Sequence, residues 1–327
     1  MRYLVTGGTG FIGAHAVRTL VAAGHEVTLF DIAPNRSFLR FVLGEDESKV
    51  NVTSGDVADA FSVLHAMRDC GAERVVHLAA LLSLRSDQNP IRALRVNCEG
   101  TLNIFEAALA CNVSKVVWAS SIGVFGTAGV ARSGDQPEDS AIYLDNDAPH
   151  KPHGVYGICK SFSERMANFY ARHRGLNAIG LRFANTYGYG KNLTLERGTR
   201  VGFMIDLIDR PAAGEASVVD HGDAVMDWVY VGDAARAVLL ASEKAQTRAV
   251  AVNICGQRRT VRDVAAVMSE LMPKASIEVK PGRWGDDLHY DAQAAEREIG
   301  YAPVHSLQEG LRLNINMLRA ARGLDAI

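Results

Sequence analysis

The sequence predicts an α/β protein: a Rossmann-type, doubly wound parallel sheet with a smaller, discontinuous C-terminal substrate lobe. Three observations predict it. Short apolar runs alternate with amphipathic stretches through the first half, which is the pattern of βαβ units. The strand-like runs are apolar without alternation, as expected where helices cover both faces of a sheet. A glycine-rich turn separates the first strand from the first helix.

The elements of the first half are predicted in regular order. Strands are expected at residues 3–6, 26–31, 50–54, 74–78 and 115–120. Helices are expected at residues 11–23, 57–70 and 91–111. Connections between parallel strands in such a sheet are right-handed, so these units predict one continuous sheet.

The second half is less regular. Gly, Pro, Asp and Glu are dense at 127–154, which predicts a surface loop leading to the active site. A helix at 154–174 and a strand at 178–184 follow. We expect an NAD-binding Rossmann domain at 1–184, completed by about 227–255, with strands at 228–230 and 250–254 returning to its sheet. The substrate lobe is expected mainly at 185–226 and 256–327.

Composition and charge exclude several classes of protein. The chain has 327 residues, 48% hydrophobic and 22% charged, with a formal charge of −2, so no nucleic-acid or membrane-surface partner is expected. No window approaches the roughly 18 apolar residues of a membrane helix, and a strand-like run at the N-terminus leaves no room for a signal peptide. The five cysteines are scattered without a C-x-x-C pair, which favours free thiols, a cytoplasmic location and no metal site.

The glycine-rich turn predicts a dinucleotide site. Gly7, Gly10 and Gly13 are spaced G-x-x-G-x-x-G, and Phe11 and Ile12 begin the helix within this motif. The tight turn, the close approach of backbone to a pyrophosphate and the packing of helix on sheet all need residues without a side chain. A helix N-terminus there also favours an anion.

An acidic residue indicates which dinucleotide is bound. Asp31 ends the second strand, 18 residues after Gly13, where a carboxylate accepts hydrogen bonds from the adenosine ribose and repels a 2′-phosphate. The cofactor is therefore expected to be NAD rather than NADP. Arg36 and Arg40 follow closely and could weaken that preference, and a helix cap at the strand end is the alternative role for Asp31.

Two further segments are predicted to contact the same ligand. Asp56 and Val57 follow the third strand, where Asp56 could meet the adenine amino group. The small residues after the fourth strand let backbone approach the cofactor; they are Leu78, Ala79 and Ala80. His77 beside them is expected to be a packed residue.

A tyrosine and a lysine form the candidate catalytic pair. Tyr156 and Lys160 are four residues apart on a predicted helix, so they share one face. A free phenol titrates near ~10, and a nearby ammonium together with a positive nicotinamide ring is expected to lower that pKa. Such a tyrosine can take the proton of a substrate alcohol while hydride leaves for a nicotinamide. Ser120 and Ser121 end the fifth strand, where a hydroxyl could bind the same oxygen or only its own turn.

Together these segments resemble the extended short-chain dehydrogenase/reductase family, of the NAD-dependent epimerase/dehydratase type. The resemblance covers nearly the whole chain. Its motifs are TGGTGFIG at 6–13, Asp31, HLAA at 77–80, V-N-x-x-G-T at 96–101, SSIGVFG at 120–126, YGICK at 156–160, LRFANTYG at 181–188 and DWVYVGD at 227–233.

The resemblance implies roles for particular residues. Ser121, Tyr156 and Lys160 would be catalytic, and Lys160 would also hold the nicotinamide ribose. Asn97 would brace the active site or its water, or would only bond a neighbouring strand. A homodimer through the helices at 91–111 and 154–174 is implied as well.

Departures from the family pattern bear on the chemistry. Dehydratases carry an Asp-Glu pair after the catalytic hydroxyl, whereas Ile122 and Gly123 stand here. Sugar-nucleotide epimerases place an arginine for the diphosphate where this chain has Met226, although Arg283 matches a second such arginine. Methionine offers phosphate oxygens no charge and no donors. This weighs against a nucleotide-sugar substrate.

The sequence therefore favours an oxidoreductase acting on the secondary alcohol, or the ketone, of a small hydroxylated substrate. HLAALLS at 77–83, SSIGVFG and VYGICK are also similar to the short-chain type of L-threonine 3-dehydrogenase, although the segment from Asn185 differs. Ser83, Asn185, Tyr187 and Arg283 are the other candidate substrate contacts. The alternatives are a nucleotide-sugar 4-epimerase with tightly bound NAD, and a catalytically silent NAD-binding protein.

Overall fold

The strands and helices are those of a computed structural model that describes residues 1–126, 141–196, 202–248, 250–283 and 287–327. Within these residues the strands are β1 (Arg2–Thr6), β2 (Glu26–Asp31), β3 (Val50–Ser54), β4 (Arg74–His77), β5 (Lys115–Ser121), β6 (Ile142–Leu144), β7 (Ala178–Phe183), β8 (Asn185–Tyr187), β9 (Ser217–Val219), β10 (Val225–Tyr230), β11 (Ala251–Ile254), β12 (Gln257–Thr260), β13 (Ile277–Val279) and β14 (Leu288–Tyr290).

The helices within the same residues are α1 (Phe11–Ala22), α2 (Arg36–Leu43), α3 (Ala60–Asp69), α4 (Ser83–Gln88), α5 (Pro90–Ala93), α6 (Gly100–Ala110), α7 (Val155–Arg174), α8 (Asn192–Glu196), α9 (Gly202–Met204), α10 (Arg210–Ala212), α11 (Val231–Glu243), α12 (Val261–Leu271), α13 (Gln293–Ile299) and α14 (Leu307–Ala320). Short 3₁₀ turns lie at Gly44–Lys49 and Ile122–Val124, and π-helical turns at Leu94–Glu99 and Ile205–Asp209. In the described part of the chain, no helix is both long and apolar enough to cross a bilayer.

Seven parallel strands form the main sheet in the order β11-β7-β5-β4-β1-β2-β3. From β1 the chain runs outward through β2 to β3 at one edge of the sheet. It then crosses to β4, on the other side of β1, and continues through β5 and β7 to β11 at the opposite edge. This is the doubly wound Rossmann order that the sequence predicts. Ligands of such sheets bind beyond the carboxyl ends of the strands at the point of reversal, here between β1 and β4.

Helices cover both faces of this sheet. Leu4 and Val5 are fully buried neighbours on β1, and they belong to different cores. Val5 packs with residues of α1, α2, α11 and α13, while Leu4 packs with residues of α3, α6 and α7. Successive side chains of a strand point to opposite faces, so an uninterrupted apolar run contributes side chains to the hydrophobic cores on both faces of the sheet.

The smaller lobe has its own sheet, and it corrects one prediction. β10 lies between β8, its parallel partner, and β12, its antiparallel partner. The prediction that residues 228–230 return to the main sheet is therefore wrong, because an apolar run identifies a buried strand but not its neighbour. The predicted strand at 250–254 does join the main sheet, as β11 beside β7.

In the smaller lobe the sheet packs against α12 and α14, and side chains cap the N-terminus of each helix. Met226 and Trp228 of β10 are buried together with residues of α12 and α14. Thr260 caps α12 and Ser306 caps α14, each in a capping box with an acidic residue three positions later.

The predicted surface loop at 127–154 is only partly described. Residues 127–140 lie outside the described part of the chain. Beyond them, β6 pairs with β14, and Ile142 and Leu144 are buried. This part of the predicted loop is therefore a strand, whose pairing partner lies far along the sequence.

Candidate active site

A cleft of about 1200 Å³ opens at the carboxyl ends of the main-sheet strands. The glycine turn, Asp31 and Asp56 line one part of it, and Ser121 and Tyr156 line another. Residues of the smaller lobe, including Phe203 and Met226, complete the wall. The fold thus brings Ser121, Tyr156 and the predicted cofactor residues, apart from Asn97 and Lys160, to one cavity between sheet and lobe.

The glycine turn has space only for residues without a side chain. Gly7 has φ +68°, and a Cβ there would lie 2.6 Å from the amide nitrogen of Ala79. A Cβ on Gly13 would lie 2.2 Å from the carbonyl oxygen of Gly7. Gly10 precedes α1 and brings no capping side chain. The first amides of the helix are therefore open to an anion in the cleft.

Asp31 is held in position by its neighbours. Thr9 Oγ1 donates a hydrogen bond of 2.6 Å to Asp31 Oδ2, and the Ala33 amide donates to Oδ1 at 3.2 Å. The residue is only 8% exposed, and it lines the cleft. This fixed carboxylate suits a ribose diol. Thr9, which orients it, lies within the glycine motif but was not predicted as a functional residue.

Asp56 is paired across the cleft wall with an arginine that the sequence did not indicate. Arg92 Nη2 donates to Asp56 Oδ2 at 2.6 Å, and the Ala58 amide donates to Oδ1 at 3.0 Å. Burial alone would raise the pKa of Asp56, but the hydrogen bonds from Ala58 and Arg92 outweigh it and lower the pKa. Val57 lines the cleft beside them.

Asn97 fixes the cleft wall from behind. Its Oδ1 accepts the Leu81 amide at 2.8 Å and its Nδ2 donates to the Leu81 carbonyl at 2.9 Å. The residue is 1% exposed and does not line the cleft. Its structural role is to hold the segment that follows Leu78, Ala79 and Ala80. His77 is also packed inside, where its ring nitrogens contact Thr6 and Thr101.

The candidate catalytic side chains converge from β5 and α7. Ser121 ends β5, and its Oγ accepts the Gly123 amide at 3.0 Å. Tyr156 lies in the first turn of α7 and lines the cleft with Ser121. Lys160 is 2% exposed; its Nζ donates to the Ala119 carbonyl at 2.6 Å and lies 5.4 Å from the centre of the Tyr156 ring.

Burial governs the electrostatics of this pair in the protein chain by itself. Burial lowers the pKa of Lys160 to about 8. Burial also raises the pKa of Tyr156, with the neighbouring Cys159 adding to the rise. In the chain without a nicotinamide ring, removal of the phenolate from water outweighs an ammonium at this distance. The lower pKa expected from the ammonium and the ring together stays a prediction.

A buried ionic network supports the end of β5, and sequence reasoning missed it. Glu164 accepts Ser120 Oγ at 2.6 Å and two hydrogen bonds from Arg182, at 2.8 and 2.6 Å. His150 lies 3.3 Å from the same carboxylate. Burial would raise the pKa of Glu164, but Arg182, His150 and Ser120 outweigh it and bring the pKa to about 2. Only the tertiary fold brings these residues together.

Two of the other predicted substrate contacts line the cleft, and two do not. Ser83 and Asn185 line the cleft. Tyr187 does not, because it is 2% exposed and packs in the lobe core against Trp228 and Tyr230. Arg283 is exposed and is not a lining residue. Lining residues that the sequence did not indicate include Lys191, Phe203 and His221.

Comparison with known proteins identifies the family. The model of the NAD dependent epimerase/dehydratase family matches residues 3–255. The UDP-glucose 4-epimerase of Mycolicibacterium smegmatis is 28% identical over 326 residues, covering 98% of this chain and 99% of that protein. The UDP-glucose 4-epimerase of Corynebacterium glutamicum is 28% identical over 324 residues, covering 94% of this chain and 92% of that one.

Solved structures give the same result. The Thermus thermophilus UDP-glucose 4-epimerase in complex with NAD superposes with a TM-score of 0.80 at 28% identity, covering 98% of this chain and 100% of the other. The Thermotoga maritima UDP-glucose 4-epimerase with UDP-glucose gives 0.79 at 28% identity, with the same coverage.

The cleft fits the cofactor that these comparisons imply. The glycine turn leaves a cradle that any Cβ would fill, next to the N-terminus of α1, and Asp31 offers a fixed carboxylate to a ribose. NAD is thus the cofactor, and the glycine turn and Asp31 are the residues that would hold it. This chain is an NAD-dependent enzyme that belongs to the NAD dependent epimerase/dehydratase family.

Proposed function

We propose that this chain is a nucleotide-sugar 4-epimerase acting on a UDP-hexose. The observation that carries the proposal is its similarity to UDP-glucose 4-epimerases over almost the whole length, 98% of this chain for the Mycolicibacterium smegmatis protein. That similarity includes the smaller lobe, where substrate specificity resides in a two-lobed dehydrogenase fold. It outweighs the prediction of a small-alcohol dehydrogenase, which rested mainly on Met226.

The side chains at the cleft can perform such a reaction. Tyr156 takes the proton of the sugar hydroxyl, while Ser121 hydrogen-bonds the same oxygen. Lys160 keeps a positive charge beside the phenol and anchors α7 to Ala119 of β5. NAD, when bound, would supply a reversible hydride acceptor. The configuration would invert when the hydride returns to the opposite face of the sugar carbon and Tyr156 gives the proton back to the oxygen, so there is no net oxidation.

The residues after Ser121 favour epimerisation over dehydration. Ile122 and Gly123 form a 3₁₀ turn there and carry no ionisable group. Elimination of water needs an acid and a base close to the sugar. The family's dehydratases supply them at these two positions, and this chain does not.

Met226 favours a second candidate, a dehydrogenase of a small hydroxylated substrate. Its side chain lines the cleft where the family's epimerases carry a diphosphate-binding arginine. One experiment separates the two functions. Purified protein is assayed for UDP-glucose to UDP-galactose conversion, for NAD released on denaturation and for absorbance at 340 nm. Conversion with stoichiometric NAD and no net NADH supports the epimerase; NADH formation from a small alcohol supports the dehydrogenase.

The predicted homodimer remains part of this proposal. Apolar side chains are exposed on the helical layer formed by α5, the π-helical turn after it and α7; they are Ile91 at 71%, Leu94 at 50%, Ile158 at 50%, Phe162 at 37% and Phe169 at 48%. Ile158, Phe162 and Phe169 recur at the spacing of one helix face. A second copy of this chain that covers this face would bury them.

A further inference from the structure

Lys191 lies in the cleft between the glycine turn and the smaller lobe. It follows β8 by a short loop and lines the cleft, as do Gly10, Phe11 and Met226. Its Nζ is 5.3 Å from the centre of the Phe11 ring, and Phe11 is the first residue of α1. Lys191 is therefore close to the part of the turn that faces a dinucleotide pyrophosphate, and it belongs to the wall that the lobe completes.

The surroundings of this ammonium lack a counter-charge. Among the described residues, no carboxylate or other acceptor forms a hydrogen bond or ion pair with Lys191 Nζ, whereas Arg92 in the same wall is bonded to Asp56. Burial lowers the pKa of Lys191 to about 8. A partly desolvated cation without an anion is unfavourable, and a ligand anion would correct it.

The neighbouring wall lacks a cation where one is expected. Met226 is 8% exposed and packs with Phe11 and Trp228 in the lobe core. Arg283, the other arginine expected to bind a diphosphate, is exposed and lies near Asp223, whose pKa it helps to lower. A diphosphate in this cleft therefore has to find its positive partner elsewhere on the wall.

We propose that Lys191 binds a diphosphate group in the cleft and replaces the arginine that this chain lacks at position 226. The diphosphate belongs to the nucleotide sugar or to NAD, since Lys191 lies between their two parts of the cleft. The first source rests on the proposed function, and the second does not. In either case Lys191 is a binding residue that donates charge-assisted hydrogen bonds to phosphate oxygens.

Two variants of Lys191 test this proposal, with one control. Lys191→Met removes the charge at similar length, and Lys191→Arg keeps it. Lys244→Met removes an exposed charge far from the cleft. For each protein, UDP affinity of the NAD-loaded enzyme is measured by calorimetry, and NAD content is measured after denaturation. Thermal unfolding confirms that each variant is folded.

We expect Lys191→Met to weaken UDP binding by about 10- to 100-fold, as for a lost charge-assisted hydrogen bond, with Lys191→Arg near wild type. A fall in NAD content with unchanged UDP affinity would assign the diphosphate to the cofactor. Unchanged UDP affinity and unchanged NAD content in Lys191→Met would overturn the proposal. Wild-type protein that retains NAD but binds no UDP would refute the nucleotide-sugar function, and the NAD content would still decide the role of Lys191.

Discussion

Lys160 and Tyr156 are fixed relative to each other by the end of a strand. The ammonium of Lys160 donates to the Ala119 carbonyl at 2.6 Å, and this contact places it 5.4 Å from the centre of the Tyr156 ring. Ala119 lies two residues before Ser121 on β5. This hydrogen bond and the one from Ser120 to Glu164 hold α7, which carries the phenol, against the strand that carries the serine hydroxyl.

Tyr156→Phe should remove the acid–base group and leave the rest of the cleft intact. We expect turnover to fall by about 10²- to 10⁴-fold, because proton transfer loses its positioned partner. NAD content and thermal unfolding should change little, since the Tyr156 hydroxyl makes no hydrogen bond within the described residues. Conversion of UDP-glucose and NAD release on denaturation are the measurements. Turnover at the wild-type rate would show that another group moves the proton.

The pH profile should show the ionisation of Lys160. Burial holds its pKa at about 8, below the usual value of 10.5, so the ammonium is present below pH 8 and is lost as the pH rises through that value. We therefore expect kcat, measured at saturating substrate, to decline above about pH 8.

Burial also brings the pKa of Lys191 to about 8. The effects of the two lysines can be told apart by which kinetic parameter changes with pH. Loss of the Lys160 charge acts on kcat, whereas loss of the Lys191 charge acts on KM. The Lys191→Arg variant serves as a control, since it should keep the decline in kcat. A flat kcat with a rising KM in the wild type would contradict the assignment to Lys160.

Glu164→Gln should destabilise the fold strongly. The carboxylate is buried and accepts two hydrogen bonds from Arg182. Its neutralisation leaves a buried guanidinium that still bonds Asn146 and Asn253 but has lost its counter-charge, at a cost of about 3–5 kcal/mol. Urea unfolding monitored by circular dichroism measures this. Asp206→Asn, which breaks the exposed pair with Arg210, is the control and should cost less than about 1 kcal/mol.

The same carboxylate predicts how stability depends on pH. The pKa of Glu164 is about 2 in the folded chain, against an ordinary value of 4.5. Its contribution is therefore fully present above about pH 4.5 and is lost as the pH falls toward 2. The difference in unfolding free energy between wild type and Glu164→Gln should shrink over that range. A difference that stays constant from pH 6 to pH 2.5 would contradict this linkage.

Sequence patterns predicted the parts of the site that depend on local geometry. Gly7 and Gly13 were recognised because a tight turn between strand and helix needs glycine, and the structure leaves no room for a Cβ at either. Tyr156 and Lys160 were recognised because positions four apart share a helix face. In each case the chemistry and the spacing lie within one short segment.

Parts that depend on long-range contacts were not predictable. Glu164 and Arg182 lie on α7 and β7, and nothing in either segment indicates the pairing. Arg92 meets Asp56 only because β3 and α5 end at the same edge of the sheet. Tyr187 was expected at the substrate, but the lobe core covers it. Burial by a distant segment leaves no periodic signal in the sequence.

Phe162→Glu should separate the proposed dimer. The side chain is central on the exposed apolar face of α7, and a carboxylate there would remain desolvated at an interface between two copies. Wild-type protein is expected to have the mass of a dimer by light scattering, and the variant the mass of a monomer. Phe61→Glu is the control, because Phe61 is 76% exposed on α3, away from this face. Monomeric wild-type protein would refute the dimer.

Gly13→Ala should destroy the cofactor cradle, while Gly202→Ala should not affect it. A Cβ at position 13 would lie 2.2 Å from the Gly7 carbonyl oxygen, a backbone atom that cannot move without opening the turn. A Cβ at position 202 has no described atom within 4 Å. We expect Gly13→Ala to lose most of its NAD content and about 1–3 kcal/mol of stability, as in overpacking.

Gly202→Ala should keep both NAD content and stability, because a Cβ there meets no described atom within 4 Å. NAD released on denaturation and urea unfolding of the two variants provide the comparison. Both substitutions add the same methyl group. A difference in NAD content or unfolding free energy between the two variants therefore reflects the space around each position. If Gly13→Ala retained stoichiometric NAD, α1 would have to move away from Gly7 without loss of pyrophosphate contacts, and the turn could not be the rigid cradle that its geometry indicates.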